Sequence, residues 1–238
     1  MDDDDIPPPH SRAWGPGRPR PRLVVGEAIA FGWRAFWRNA GPMVTFVLII
    51  LLAQLPFVVI AQAASGTATG VVIQAAAWLV QLLLAMGLIR AALVVCDGRA
   101  PDVNLLLQRR GYAAYFLATV VLGVAVAVPV ALAVLLNSLA LLILVGLAIV
   151  LPVALTFMLF GYAIVEDPAL GPIQALRRSA ELTRGSRVQL AGLMVVLGGV
   201  NLLGVLACGV GIVVSYGITA LSLAYTYRVL GGQAIISW

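Results

Sequence analysis

Apolar residues run almost unbroken along most of this chain, and the polar interruptions come in a regular order. After a polar leader, apolar stretches fall at 43–64, 71–95, 113–136, 139–164, 188–207 and 210–227. Each has roughly the 17–25 residues an α-helix needs to cross ~30 Å of hydrocarbon. The runs are continuous, unlike the short alternating segments of a membrane β-barrel, so the pattern predicts six transmembrane helices. The last two pairs are joined by tight turns at 137–138 and 208–209.

Shorter stretches with helical spacing precede the first, third and fifth spans. Before the first, Val25, Ile29, Trp33, Phe36 and Trp37 recur on one side while Glu27, Arg34 and Arg38 take another. Tryptophan with arginine gives a helix an apolar body and a wet edge, which suits the headgroup layer. Before the third, Pro101-Asp102 offers a helix start, followed by Val103, Leu106 and Leu107 and then by Arg109 and Arg110. Before the fifth, Ile173, Leu176 and Ala180 line one side and Arg177, Arg178, Glu181 and Arg184 the other, with Pro172 at a favourable helix start.

The pattern therefore predicts an all-α polytopic fold. Six transmembrane helices form three hairpin units, 23–95, 102–165 and 172–228, each opening on a cytoplasmic amphipathic interfacial helix. With two spans per unit, the repeats would be parallel, related by an axis along the membrane normal. The membrane domain is placed at 23–232 and a short cytoplasmic C-terminus at 233–238. Residues 1–22, acidic at the start and rich in proline and arginine later, have no apolar run for a signal peptide and read as a disordered cytoplasmic tail.

Composition removes the soluble alternative. Of 238 residues, 62% are hydrophobic and 11% charged, with a mean hydropathy of +1.04. Soluble domains carry about 25% charged residues. All fifteen basic residues are arginine, against ten acidic ones, for a formal net charge of +5. The connections at 62–70, 137–138 and 208–209 carry no charge, so every charged residue falls on the other side of the predicted hairpins. The positive-inside rule then puts both termini in the cytoplasm, in a bacterial plasma (inner) membrane. Three short uncharged turns would leave no external catalytic or receptor domain. Because the arginines border apolar spans, anionic lipid headgroups are the expected counter-charge, and nucleic acid is not. Cys96 and Cys208 are expected near opposite faces, ~30 Å apart, beyond the ~7 Å Cα separation a disulfide tolerates.

Polar residues within the spans each need a partner. Gln54, Gln81 and Asn201 would lie about 15–20 Å deep, near the midplane, with Gln74 on the same face as Gln81. They read as interhelical hydrogen-bonding groups, typically worth about 0.6–2 kcal/mol, or as the lining of a polar path. Pro56, Pro129 and Pro152 would kink their spans, and the glycine-rich fifth and sixth spans would pack closely. Arg90, inside the end of the second span, is expected to snorkel to the headgroups. No carboxylate lies deep enough for a proton-coupled pump or a carboxylate-lined cation channel.

Enzyme chemistry lacks its parts. His10 is the only histidine and lies in the tail, so no catalytic residue, metal site or cofactor is assigned. Glu166 and Asp167 are adjacent carboxylates, best explained by helix capping and charge pairing. Arg177 with Glu181, and Glu181 with Arg184, have the spacing of ion pairs on an exposed helical face.

In the third unit, Glu166-Asp167-Pro168, Ala175-Leu176-Arg177-Arg178-Ser179 and Glu181-Leu182-Thr183-Arg184-Gly185, closed by Tyr227-Arg228, resemble bacterial six-span membrane proteins. Those proteins are similar to the membrane domain that precedes the catalytic part of some glycerophosphodiester phosphodiesterases. The resemblance implies the fold and a membrane location. It implies no enzymatic activity, because this chain is expected to carry no appended catalytic domain and its single histidine would not supply that chemistry.

The function expected from the sequence is that of a non-enzymatic inner-membrane protein, lipid-organising or an accessory subunit. It would act through a basic collar of Arg34, Arg38, Arg109, Arg110, Arg177, Arg178, Arg184 and Arg187, facing anionic headgroups or another membrane protein. The alternative is a small-solute or lipid transporter component with Gln54, Gln81 and Asn201 along its path.

Overall fold

The computed structural model describes residues 23–63, 66–108, 110–136, 138–207 and 210–233. Among them, every regular element is helical. The predicted turns at 137–138 and 208–209 and Cys208 fall wholly or partly outside the described residues, as do the tail and Arg109.

Five helical runs are long and apolar enough to cross a membrane: Ala40–Ile60, Ala68–Cys96, Tyr112–Leu135, Leu139–Glu166 and Arg187–Leu206. The first lies within α2 (Ala40–Ala63), which follows α1 (Val25–Arg38) after a single corner residue, Asn39. The next two are α3 (Ala68–Cys96) and α4 (Tyr112–Leu135). The fourth is segmented into α5 (Leu139–Val145), a π-helical turn (Gly146–Val150), α6 (Leu151–Phe157) and α7 (Phe160–Glu166). Pro152 stands at the first turn of α6, and the widened turn before it accommodates the ladder bond that its missing N–H leaves unmade. Then come α8 (Pro172–Thr183), α9 (Arg187–Leu206) and α10 (Val210–Leu230).

The sixth apolar stretch is thus a 21-residue helix, but a less apolar one, because it carries Ser215, Thr219, Ser222 and Thr226. Three of these hydroxyls donate to carbonyls about one turn back: Ser215 to Ile212 O, Thr219 to Ser215 O and Thr226 to Ser222 O, at 2.8–3.2 Å. Satisfied in this way, they cost little on a buried surface. α10 packs against α1, α2, α3 and α9 and forms the middle of the main core with Phe36, Met43, Phe46, Ala91 and Tyr162.

All three expected interfacial helices differ from expectation, in the face they bury or in length. α1 buries Ala28, Phe31, Gly32, Ala35 and Phe36, and leaves Trp33 and Trp37 about half exposed beside Arg34 and Arg38. It runs antiparallel along α10: Glu27 reaches Tyr225, the Phe31 ring packs tilted against Tyr225, Gly32 meets Ser222, and Phe36 fits over Gly217. The inner face is set by shape. A Cβ on Gly217 would sit 2.5 Å from the Phe36 ring, so small residues admit the aromatic ones and the tryptophans turn outward. The second interfacial helix is only a five-residue 3-10 turn, Val103–Leu107. The threefold repeat of helix, span and span is therefore uneven in its leading element.

α8 is a helix as expected, rotated from its expected face. Ile173 is 61% exposed, whereas Ala175, Leu176, Ser179 and Thr183 are buried. The reason lies in the break between α6 and α7. Ser179 and Thr183 both donate to Thr156 O, at 2.9 and 3.2 Å, and Leu159 N donates to Ser179 Oγ at 3.3 Å. Backbone groups freed by the broken helix have to be satisfied inside the protein, and hydroxyls do it where Ile173 or Ala180 would not.

Packing is uneven along the chain. Half of the most apolar window of α3 is buried, against 11% for both Tyr112–Leu135 and Leu139–Glu166. The α4–α6 hairpin makes its firmest contacts near Tyr115, Leu155 and Phe160, leaving Val124, Val128, Leu135, Leu139 and Leu147 outward.

Candidate functional site: an arginine-lined cavity beside a buried ionic clasp

The carboxylate of Glu166, at the end of α7, anchors a network that ties four helices together. It accepts hydrogen bonds from the Tyr227 hydroxyl and from Gln233 Nε2, and forms ion pairs with Arg178 at 3.1 Å and Arg228 at 3.7 Å. Arg228 turns also to Asp97 at 2.8 Å and to Gln233 Oε1 at 2.9 Å. Asp97 caps the end of α3, so α3, α7, α8 and α10 meet in one clasp. Glu166 and Arg228 are 12% and 15% exposed, which keeps their attraction from being screened as a surface pair would be. Asp167 has a local role, its Oδ1 accepting from Ala169 N at 3.1 Å. Glu166 thus takes the charge-pairing role expected of the two carboxylates, while the Asp167 side chain braces the turn before α8 rather than capping a helix. The Tyr227-Arg228 pair and the Glu166 and Arg178 positions, far apart in sequence, meet at one point.

Arg90 does not snorkel. Only 5% exposed, it donates to Leu105 O (3.3 Å), Gln108 O (2.5 Å) and Arg110 O (2.5 Å) and to the Tyr112 hydroxyl (3.3 Å), with its guanidinium 4.9 Å from the Tyr112 ring centre. A rigid fork of donors thus answers backbone carbonyls of the stretch that leads into α4. Gly111, at φ +82, lets the chain turn into α4 there, where a Cβ would meet Met86 and Ile164.

The midplane polar residues separate into two pairs. Gln54 Nε2 donates to Gln81 Oε1 at 2.7 Å, joining α2 to α3, and Tyr216 lies beside Gln81. Asn201 Nδ2 donates to Leu197 O at 2.8 Å and to Thr219 Oγ1 at 2.9 Å, joining α9 to α10. A groove of about 830 Å³ opens at the start of α3, lined by Thr67, Gln74 and Trp78 among others; Gln54, Gln81 and Asn201 do not line it.

The collar arginines also divide. Arg178 is committed to Glu166. Arg34 is exposed, its Nε donating to Ala30 O at 3.2 Å. Arg38 and Arg110 are exposed as well. Arg177, Arg184 and Arg187 gather with Ala180 and Glu181 around a cavity of about 230 Å³ between α8 and the start of α9. The expected Arg177–Glu181 ion pair is not formed: their charged groups are more than ion-pair distance apart. Among the described residues, no group of three or more histidine, cysteine or acidic side chains is placed to hold a metal ion.

Sequence reasoning named the cavity's arginines from their helical spacing, but missed Asp97, Gln233, Ser179 and Thr183. The Ser179–Thr183 spacing, one helical turn on an amphipathic stretch, was the available signal. Comparison with family models, with curated proteins and with solved structures finds no match.

Proposed function

We propose that this protein is a non-enzymatic, six-span component of a bacterial inner membrane that organises lipid or serves as an accessory subunit. In this reading α10 is the sixth span, the clasp lies at the cytoplasmic face with both termini, and the third-unit motif reflects kinship with the six-span family it resembles. The observation that carries the proposal is the set of exposed arginines on the two amphipathic helices and at the starts of two apolar ones, Arg34 on α1, Arg177 on α8, Arg110 just before α4 and Arg187 at the start of α9, with Trp33 and Trp37 exposed beside Arg34. Such a surface fits headgroups, where each arginine adds on the order of 1 kcal/mol and the indole rings sit at the boundary. The mutual satisfaction of Gln54 with Gln81 and of Asn201 with Thr219 supports a packing role for the midplane groups.

The test is native mass spectrometry of the complex after gentle extraction, together with analysis of the lipid it retains. The expected result is retained lipid enriched in anionic species over the bulk membrane, or a stoichiometric second protein. Enrichment should fall when Arg34, Arg110, Arg177 and Arg187 are all changed to glutamine. Lipid of bulk composition and no partner would overturn the proposal.

A further inference from the structure

Resting on that lipid-facing reading and sharpening it, we infer that the α8–α9 cavity is a stoichiometric binding site for a phosphate group. Three arginines and one glutamate line its wall, so the lining carries a surplus of positive charge. Arg177 and Arg187 hold no side-chain partner among the described residues, whereas Arg178, one position along the same helix, is neutralised by Glu166. Adjacent arginines therefore have separate tasks: one closes the clasp and the other faces open space. The clasp also fixes the wall, because Arg178 and the buried Ser179 and Thr183 hold α8 against the break at Thr156, leaving Arg177, Glu181 and Arg184 outward as one face.

α9 begins at this cavity. Ser186, before Arg187, makes no side-chain cap, so the first-turn N–H groups of this 20-residue helix lack one. Those donors and the positive end of the helix add to the guanidinium groups. Guanidinium forks match the oxygens of a phosphate better than they match a single-point anion. The volume equals that of about eight liquid waters, enough for a phosphate ester and its first attached carbons. Glu181, on the same wall, disfavours a second anion and leaves room for one phosphate.

The phosphate can come from a lipid headgroup or from a soluble phosphate compound, and the experiment separates the two. Purified full-length protein in a maltoside detergent is titrated with phosphatidylglycerol in one arm and inorganic phosphate in the other. Occupancy is counted by native mass spectrometry and affinity by calorimetry. Three proteins are compared: wild type, R177Q/R187Q, and R34Q/R110Q, whose changes lie outside the cavity. Helix content by circular dichroism verifies folding, and R177K/R187K restores charge without the fork.

The expected result is one tightly held ligand per chain, weakened about thirtyfold in R177Q/R187Q, the combined effect of two arginines. It should be retained in R34Q/R110Q and only partly restored by the lysine pair. Saturation at one inorganic phosphate identifies a soluble source; saturation by the lipid alone identifies the headgroup. Equal weakening in both glutamine pairs would overturn the cavity site while leaving the general collar standing. No binding of either probe to wild type would overturn the site, and retained native lipid without anionic enrichment would overturn the collar as well.

Discussion

α10 and the α4–α6 hairpin both come from apolar stretches of the sequence, α10 being the less apolar of the two, and they are held in opposite ways. α10 is ringed by four other helices and meets them through small residues and hydroxyls: Gly217 under Phe36, Ser222 under Gly32, Thr219 on Asn201. The hairpin turns most of its surface outward, with Leu135 81% and Leu139 72% exposed. In a bilayer, an exposed leucine already has an apolar solvent, so helix association depends on close packing and hydrogen bonds more than on removing apolar surface from water. The difference teaches that hydrophobicity decides which segments are embedded, and that small and polar residues decide which of them stay together.

The largest effect should come from the clasp that ties α10 to α3, α7 and α8. Changing Glu166 to alanine leaves Arg178 and Arg228 side by side without their shared anion, and should cost about 3 kcal/mol in reversible unfolding from mixed micelles. A cost below about 0.5 kcal/mol would reduce the clasp to an ordinary surface pair. Next, Gly217→Leu should drive Phe36 off α10 at a cost of about 1–3 kcal/mol. Proteolytic nicking at the Asn39 corner would then accelerate, because α1 depends on that fit. Protection equal to wild type would show that α1 is held elsewhere. At the other extreme, Val128→Ala on the outer face of α4 should change stability by no more than about 0.5 kcal/mol. A large loss there would mean that the hairpin face is covered, and the contrast between the two regions would fail.

Much of this was legible in the sequence because length and apolarity are one-dimensional properties. The stretch at 71–95 became α3, Ala68–Cys96, and the stretch at 188–207 became α9, Arg187–Leu206, each displaced by only a few residues. The inward face of α1 was not legible. Tryptophan carries far more apolar surface than alanine, but Ala28, Gly32 and Ala35 make the flat surface that α10 needs, and the indoles point away. The face of α8 was hidden for a related reason. Ser179 and Thr183 look like surface residues until a helix breaks opposite them, and that break at Met158 has no glycine or proline of its own to announce it. At the arginine cavity, spacing alone placed Arg177 and Arg184 on one side of a helix. It could not show that Arg178 would be taken by a carboxylate twelve residues upstream.

Arg90 carries a consequence for how the protein is made. Its acceptors, Leu105 O, Gln108 O, Arg110 O and the Tyr112 hydroxyl, all lie downstream, so α3 reaches the insertion machinery with a guanidinium that has no partner yet. An arginine at the centre of a helix weighs against insertion by about 2.5–3.5 kcal/mol, less towards the ends. The ribosome needs about one to four seconds to add the roughly twenty residues that supply those acceptors. Through that interval α3 lacks the acceptors that complete it. The arrival of α4 and the segment before it supplies them, so α3 and α4 mature as a coupled pair.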